Sequence, residues 1–162
     1  MRKTEDKVLS IAEAQEKLRY YCGYQERSRK QVVQKMKLLG LSEDWFEKLI
    51  LNLEEDGYLD ENRFKALYVR SKCNVKGWGP IKIEQHLRFE LGHEANVSEL
   101  LKEEDAIKAK KKLARDLEKK YNQLSQKKDS DIQGKLIRFC LSRGFSFDLA
   151  KELVNLLVRV AK

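Results

Sequence analysis

The chain has 162 residues, 41% of them hydrophobic and 37% charged, and its 34 Lys and Arg outnumber 26 Asp and Glu for a net charge of +8. That length holds one ordinary domain or a few small modules, and the apolar share suits helices that each bury one stripe better than a deeply buried sheet. A single proline and eight glycines disfavour a turn-rich sandwich or barrel.

Apolar residues recur at helical spacing almost everywhere, and no segment alternates with period two over a useful length, so an all-α fold is expected. In chain order, helices are expected first over 12–24, 28–39 and 43–56. The first carries the stripe Ile11, Ala14, Leu18, Tyr21 and Cys22. Ser28 is the expected N-cap of the second, and Phe46, Leu49, Ile50 and Leu53 line the third. Helices over 60–74, 80–91 and 94–103 follow. Pro80 suits a first turn, where its missing amide hydrogen would have gone unpaired. The last three are expected over 104–124, 130–143 and 147–160, with Asn122–Ser130 as a loop. Ala106, Ala109, Leu113, Leu117, Tyr121 and Leu124 form one stripe there, and Ala150, Leu153, Val154 and Leu157 another.

Gly40, Gly92 and Gly144 stand 52 residues apart, each after a helical segment. Each can take the left-handed conformation that ends a helix, with the next residue (Leu41, His93, Phe145) packing back. Ser42, Glu94 and Ser146 are then placed to cap or charge a new helix start. The middle copy is out of phase, because Leu87 and Leu91 sit one position off the places of Met36 and Cys140; a one-residue adjustment is expected there. A motif of this period predicts tandem modules of three helices at 1–57, 58–103 and 104–162, each resembling a helix-turn-helix unit.

No apolar run approaches the roughly 18 residues of a membrane span, and Met1–Asp6 lacks the apolar stretch of a secretory signal. The three cysteines are scattered and never spaced CxxC, which disfavours a disulfide framework or zinc knuckle and favours a reducing cytosol. Charge is distributed in blocks. Residues 41–62 are net −7, residues 63–88 net +6 and residues 106–128 net +7. Two basic blocks around an acidic one predict a surface able to meet a polyanionic or mixed partner.

Four stretches, Gln25–Val33 (QERSRKQVV), Gly57–Phe64 (GYLDENRF), Lys76–Leu87 (KGWGPIKIEQHL) and Arg143–Phe147 (RGFSF), resemble the RecX family of regulators of the RecA recombinase. The sequence departs from the family's usual pattern at Lys65, where a small residue is common, and in the extra residue before Gly92. The resemblance covers about Glu13 to Leu157. It implies three tandem three-helix modules in an elongated, curved array. It also implies a cytoplasmic, non-enzymatic monomer with no cofactor and no membrane association. Such a protein would act in recombination and DNA repair. It would bind RecA and its nucleoprotein filament, and weakly single- or double-stranded DNA, restraining filament growth, ATP hydrolysis and strand exchange.

The expected binding surface takes Arg63, Lys65, Arg70, Lys72, Lys76, Lys82 and Arg88 from the first basic block. Arg63, Arg70 and the loop Lys72–Lys76 flank a helix start whose free amides, at Gly79–Ile81, would favour an anion. Trp78 lies in that loop. It either packs between modules or anchors a partner or stacks on a base. GWGP lacks the GK[ST] of a phosphate-gripping loop. The second basic cluster is Lys108, Lys110, Lys111, Lys112, Arg115, Lys119 and Lys120, of which Lys108, Lys111, Lys112 and Arg115 join the expected surface. Its bases point to several sides at about 100° per residue, so part of the run is plain solvation. Arg138 and Arg143 extend the patch. Arg27, Arg29 and Lys30 sit at a helix start unfavourable to bases, where either an outside ligand or a solvated face accounts for them.

Asp56, Asp60 and Glu61 form the acidic cluster nearest a metal-nuclease pattern, but turn formation and capping by Asp60 explain them better. His86 and His93 have no partner at ligand spacing, so no metal or catalytic residue is expected. Cys22 and Cys140 lie on apolar stripes and are expected in the core, as are Tyr20, Tyr21, Phe64, Phe139 and Phe145. Cys73, among bases, is expected to have a lowered thiol pKa and to be the most reactive cysteine. A stand-alone helix-turn-helix DNA reader is the competing function. It is disfavoured because the third helices start SEDWF, EANVS and SFDLA, acidic or apolar where a reader needs polar or basic side chains.

Overall fold

The computed structural model describes residues 9–160; the reading of Met1–Asp6 lies outside them. Among the described residues every regular element is helical. In order they are α1 (Ile11–Tyr24), α2 (Arg29–Leu38), a 3₁₀ turn at Glu43–Trp45, α3 (Phe46–Glu55), α4 (Glu61–Ser71), a π turn at Lys72–Lys76, α5 (Pro80–Leu91), α6 (Val97–Leu100), α7 (Glu103–Gln126), α8 (Ile132–Ser142) and α9 (Phe147–Val160). The chain divides into two compact units, Met1–Lys65 and Ala66–Lys162, so the division falls within α4.

In the first unit, Ser10 and Ser28 each close a capping box. The hydroxyl accepts the amide of Glu13 or Gln31, and that residue's side chain accepts the cap's own amide. Val32 and Met36 from α2 then meet Leu18 and Cys22 from α1 and Phe46, Leu49, Ile50 and Leu53 from α3, with Leu59 closing the core. Burying each of these large side chains contributes roughly 1.5–3 kcal/mol. Two expectations fail here. Tyr20 is 79% exposed and Ile11 37%, because α1 needs only its Ala14–Leu18–Cys22 side to cover this small core. Ser42 makes no cap hydrogen bond with the helix; its hydroxyl donates to the Asp44 carboxylate, and the chain enters α3 through the 3₁₀ turn. Asp60 caps α4 as expected, accepting the Arg63 amide at 2.9 Å. That bond is the main reason the Asp60 carboxyl lies below its ordinary range.

In the second unit α7 packs on α8 and α8 on α9, and the π turn lies along α7. The core takes Val69, Cys73, Ile83, Leu87, Leu113, Leu117, Leu136, Cys140, Phe145 and Val154. The three spaced glycines all have positive φ, +70° at Gly40, +79° at Gly92 and +88° at Gly144. The amides of Leu41 and Phe145 both bond back five residues, to the carbonyls of Met36 and Cys140, each at 3.2 Å. The middle copy makes the expected adjustment, with Leu87 fully buried one position earlier. The helix expected over 94–103 shrinks to the single turn α6. Asn96, not Glu94, caps it by accepting the Ser98 amide, and the extended backbone of Leu101 and Lys102 separates it from α7.

Candidate functional site

On α7, Lys108, Lys111, Arg115 and Lys119 recur at i, i+3, i+7 and i+11, within an arc of about 80° and over a length of about 16 Å. The buried residues Ala109, Leu113 and Leu117 lie on the far side of the helix. All four bases are exposed, and among the described residues none makes an ion pair. No acid falls inside the arc between Lys108 and Lys119. The apolar stripe of α7 therefore fixes where this basic stripe must point. Lys119 is the member that the sequence reading left out of the surface, although the same i, i+3, i+7 progression would have found it.

The π turn is held against the edge of this stripe. Lys112 Nζ donates to the Val75 carbonyl at 2.5 Å, and Asn74 Nδ2 donates at 2.9 Å to Oδ1 of the buried Asp105. That packing brings Lys72 and Lys76 to α7. Lys76 is exposed. Lys72 Nζ stands 5.0 Å from the Trp78 ring and 4.8 Å from the Tyr68 ring. Trp78 is half-buried within the second unit, with Lys82 Nζ 4.8 Å from its ring and the His86 ring 4.6 Å away.

Other expected binding residues are spent on internal structure. The Gly79 amide donates to the Arg143 carbonyl at 2.8 Å and the Ile81 amide to the Gly144 carbonyl at 3.1 Å. The helix start read as an anion site is thus already filled by the α8–α9 turn. Lys82 Nζ donates to the Ser142 carbonyl at 3.0 Å, and the Arg143 guanidinium to the Lys76 carbonyl at 3.4 Å with Asp116 at 3.7 Å. Arg138 pairs with Asp131 at 2.8 Å, and Arg88 lies 3.5 Å from Glu94. Arg70 is exposed at the end of α4 and makes no ion pair among the described residues.

Arg63 and Lys65 belong to the first unit and face acids there. Arg63 bonds Glu26 at 2.8 Å and the Gly57 carbonyl at 2.8 Å, and Lys65 pairs with Glu61 at 2.8 Å. Arg29 is likewise paired, with Glu47 at 2.5 Å. Asp56 is held by Arg19 at 2.6 Å. Among the described residues no three His, Cys, Asp or Glu side chains converge as a metal site would require.

Cys73 departs from expectation. It is 1% exposed, and burial, with the nearby Asp105 adding to it, pushes its thiol up to about 11. Nearby bases on the sequence do not lower a thiol that faces the core. Burial likewise pushes Cys22 and Cys140 up to about 11. No helix among the described residues is long and apolar enough to cross a membrane.

Comparison with known proteins places this arrangement. A model of the second three-helix domain of RecX matches residues 60–89, and a model of the third three-helix domain matches residues 111–154. The regulatory protein RecX of Pelodictyon phaeoclathratiforme is 32% identical over 136 residues, covering 84% of this chain and 83% of that protein. The chain belongs to the RecX family. The regulatory protein RecX of Limosilactobacillus reuteri is 30% identical over 150 residues, and there the chain spans about half of the relative, 55% of its length. A crystal structure of RecX from Lactobacillus salivarius matches with a TM-score of 0.70 at 25% identity, covering 91% of this chain and 96% of that one. A second, a crystal structure of regulatory protein RecX, matches at 0.65 and 28%, covering 89% and 72%. The RecX family that the four motif stretches resemble is therefore the chain's own, the all-helical, multi-module fold expected from the apolar spacing and the spaced glycines is the observed one, and the relatives' names mark a regulatory protein.

Proposed function

We propose that this RecX-family chain binds RecA and its filament on DNA and restrains filament growth, ATP hydrolysis and strand exchange, without catalysis or cofactor of its own. The observation that carries the proposal is the unpaired α7 stripe in a member of this family. Four neighbouring cations with no internal partner have no structural work to do, and a phosphate backbone or an acidic protein face is their natural complement. Lys72, Lys76 and Arg70 extend that surface. Lys82, Lys112, Arg138 and Arg143 stand behind it as its support. The three-module division at 1–57, 58–103 and 104–162 is part of the same proposal, supported by the family's second and third domains falling within the last two segments.

The competing reader of duplex sequence finds no support in the helix starts. Glu43 and Asp44 lead into α3, and Asp148 stands in the first turn of α9, where they repel phosphate. Strand exchange by RecA between a circular single strand and a homologous duplex tests the proposal. Substoichiometric protein should slow the joint-molecule step. Full exchange at an equimolar ratio would sink it.

A further inference from the structure

The first unit carries an aromatic surface that neither the core nor the α7 stripe uses. Tyr20 and Tyr24 lie one turn apart on α1 and are 79% and 78% exposed. Neither makes a hydrogen bond, an aromatic pair or a cation–π contact among the described residues. Both tyrosines line two hollows at once. One, of about 480 Å³, also includes Lys17, Tyr21 and Lys35, and the other, of about 450 Å³, includes Arg19 and Tyr58. Two open aromatic rings with space beside them are what flat apolar groups need in order to stack.

The charge around these rings selects the partner. Glu16, which lines both hollows, and Asp56 share the single guanidinium of Arg19, at 2.5 and 2.6 Å, so Lys17 and Lys35 leave the surroundings of the rings with a net charge of +1. Among the described residues Lys17 makes no ion pair, and Lys35 has only the Tyr21 ring, 5.5 Å away. Helix α2, which supplies Lys35, contains no acid at all. The Arg27 guanidinium stacks 4.0 Å from the Tyr21 ring and fixes that tyrosine in place. The surface therefore offers aromatic faces with surplus positive charge beside them. A strand with unpaired bases and a phosphate backbone satisfies both features. A duplex satisfies only the second, because its bases are stacked inside.

We infer that Tyr20 and Tyr24, flanked by Lys17 and Lys35, form a stacking site for single-stranded nucleic acid in the first unit. The bases stack on the two rings and the lysines neutralise phosphates. This site is separate from the α7 stripe and does not depend on RecA.

The test titrates a fluorescein-labelled thymidine oligonucleotide with the full chain in the absence of RecA and follows anisotropy. The pair Tyr20→Ala and Tyr24→Ala should weaken binding about ten-fold or more, whereas Tyr20→Phe and Tyr24→Phe should keep it, because stacking needs the ring and not the hydroxyl. Lys17→Ala with Lys35→Ala should reduce the salt dependence. All these positions lie outside the core, so unchanged helical circular dichroism is expected of every variant. The loss should be confined to single strands, with a duplex of the same length bound equally by parent and alanine pair. Undiminished oligonucleotide binding by the alanine pair would overturn the inference and leave the tyrosines to a protein partner. Equal losses on duplex and single strand would also overturn it.

Discussion

The Ile81 amide donates to the Gly144 carbonyl at 3.1 Å, so the turn that ends α8 caps the start of α5, 63 residues earlier in the chain. Gly79 completes the joint, and the fit leaves no room for side chains. A Cβ on Gly144 would stand 2.2 Å from Lys82 Cβ and 2.5 Å from Lys82 N, and one on Gly79 would stand 2.3 Å from the Gly144 carbonyl oxygen. Gly144 also has a φ of +88°, which side chains other than glycine rarely adopt.

Gly144→Ala should therefore lower stability by about 3 kcal/mol or more, combining backbone strain with displacement of the Lys82 backbone. Gly40→Ala is the control. It has φ +70° and open space around its Cβ, so it should cost about 1 kcal/mol. Urea denaturation midpoints of the two variants check the difference; equal losses would show that the joint tolerates a side chain.

The bases divide into those that build the second unit and those that face outward. Lys112→Met keeps the stem against Gly77 and removes the bond to the Val75 carbonyl. It should cost roughly 0.5–1.5 kcal/mol of stability and leave the salt dependence of filament binding unchanged. Chemical denaturation and a salt titration on the same protein read both.

The outward set behaves oppositely. Lys108→Ala, Lys111→Ala and Arg115→Ala together should leave stability nearly untouched. They should make the slope of log affinity against log salt shallower by about 2 to 3 if each base meets one phosphate. Binding to RecA-coated single-stranded DNA across about 50–200 mM salt measures it. A slope equal to the parent's would place the contact elsewhere.

Much of this was readable locally. Ser28 with Gln31, Asp60 with Arg63 and the spaced Gly40, Gly92 and Gly144 each act within a few residues of chain, so their roles follow from residue type and position. What the sequence hid was non-local. Nothing near Gly79 announces that carbonyls of Arg143 and Gly144 will take its amides, so a filled helix start reads as an open anion site. Cys73 sits among lysines in sequence but faces the core in space. Tyr20 reads as a core residue by type, yet the three-helix core of the first unit is too small to need it. The α7 stripe was half legible. Its spacing was present, but choosing Lys119 over Lys110 requires knowing which side Ala109, Leu113 and Leu117 bury.

The thiols carry a pH signature. Burial raises Cys22, Cys73 and Cys140 from an ordinary value of 9.0 to about 11, so the folded protein holds their protons more tightly than the unfolded chain does. Their contribution is fully present below about pH 9 and is lost as pH rises toward 11. Thermal unfolding should therefore fall steadily across that window. At neutral pH a thiol reagent should label the native protein slowly and all three cysteines rapidly in denaturant. Fast labelling of native Cys73 would contradict the burial.

The most direct measurement is the rate of ATP hydrolysis by RecA on single-stranded DNA as this protein is added, with the Lys108, Lys111 and Arg115 alanine variant titrated in parallel. The parent should depress hydrolysis progressively, and the variant should need several-fold more protein for the same effect. Hydrolysis unchanged by the parent at a stoichiometric ratio would contradict the proposed role.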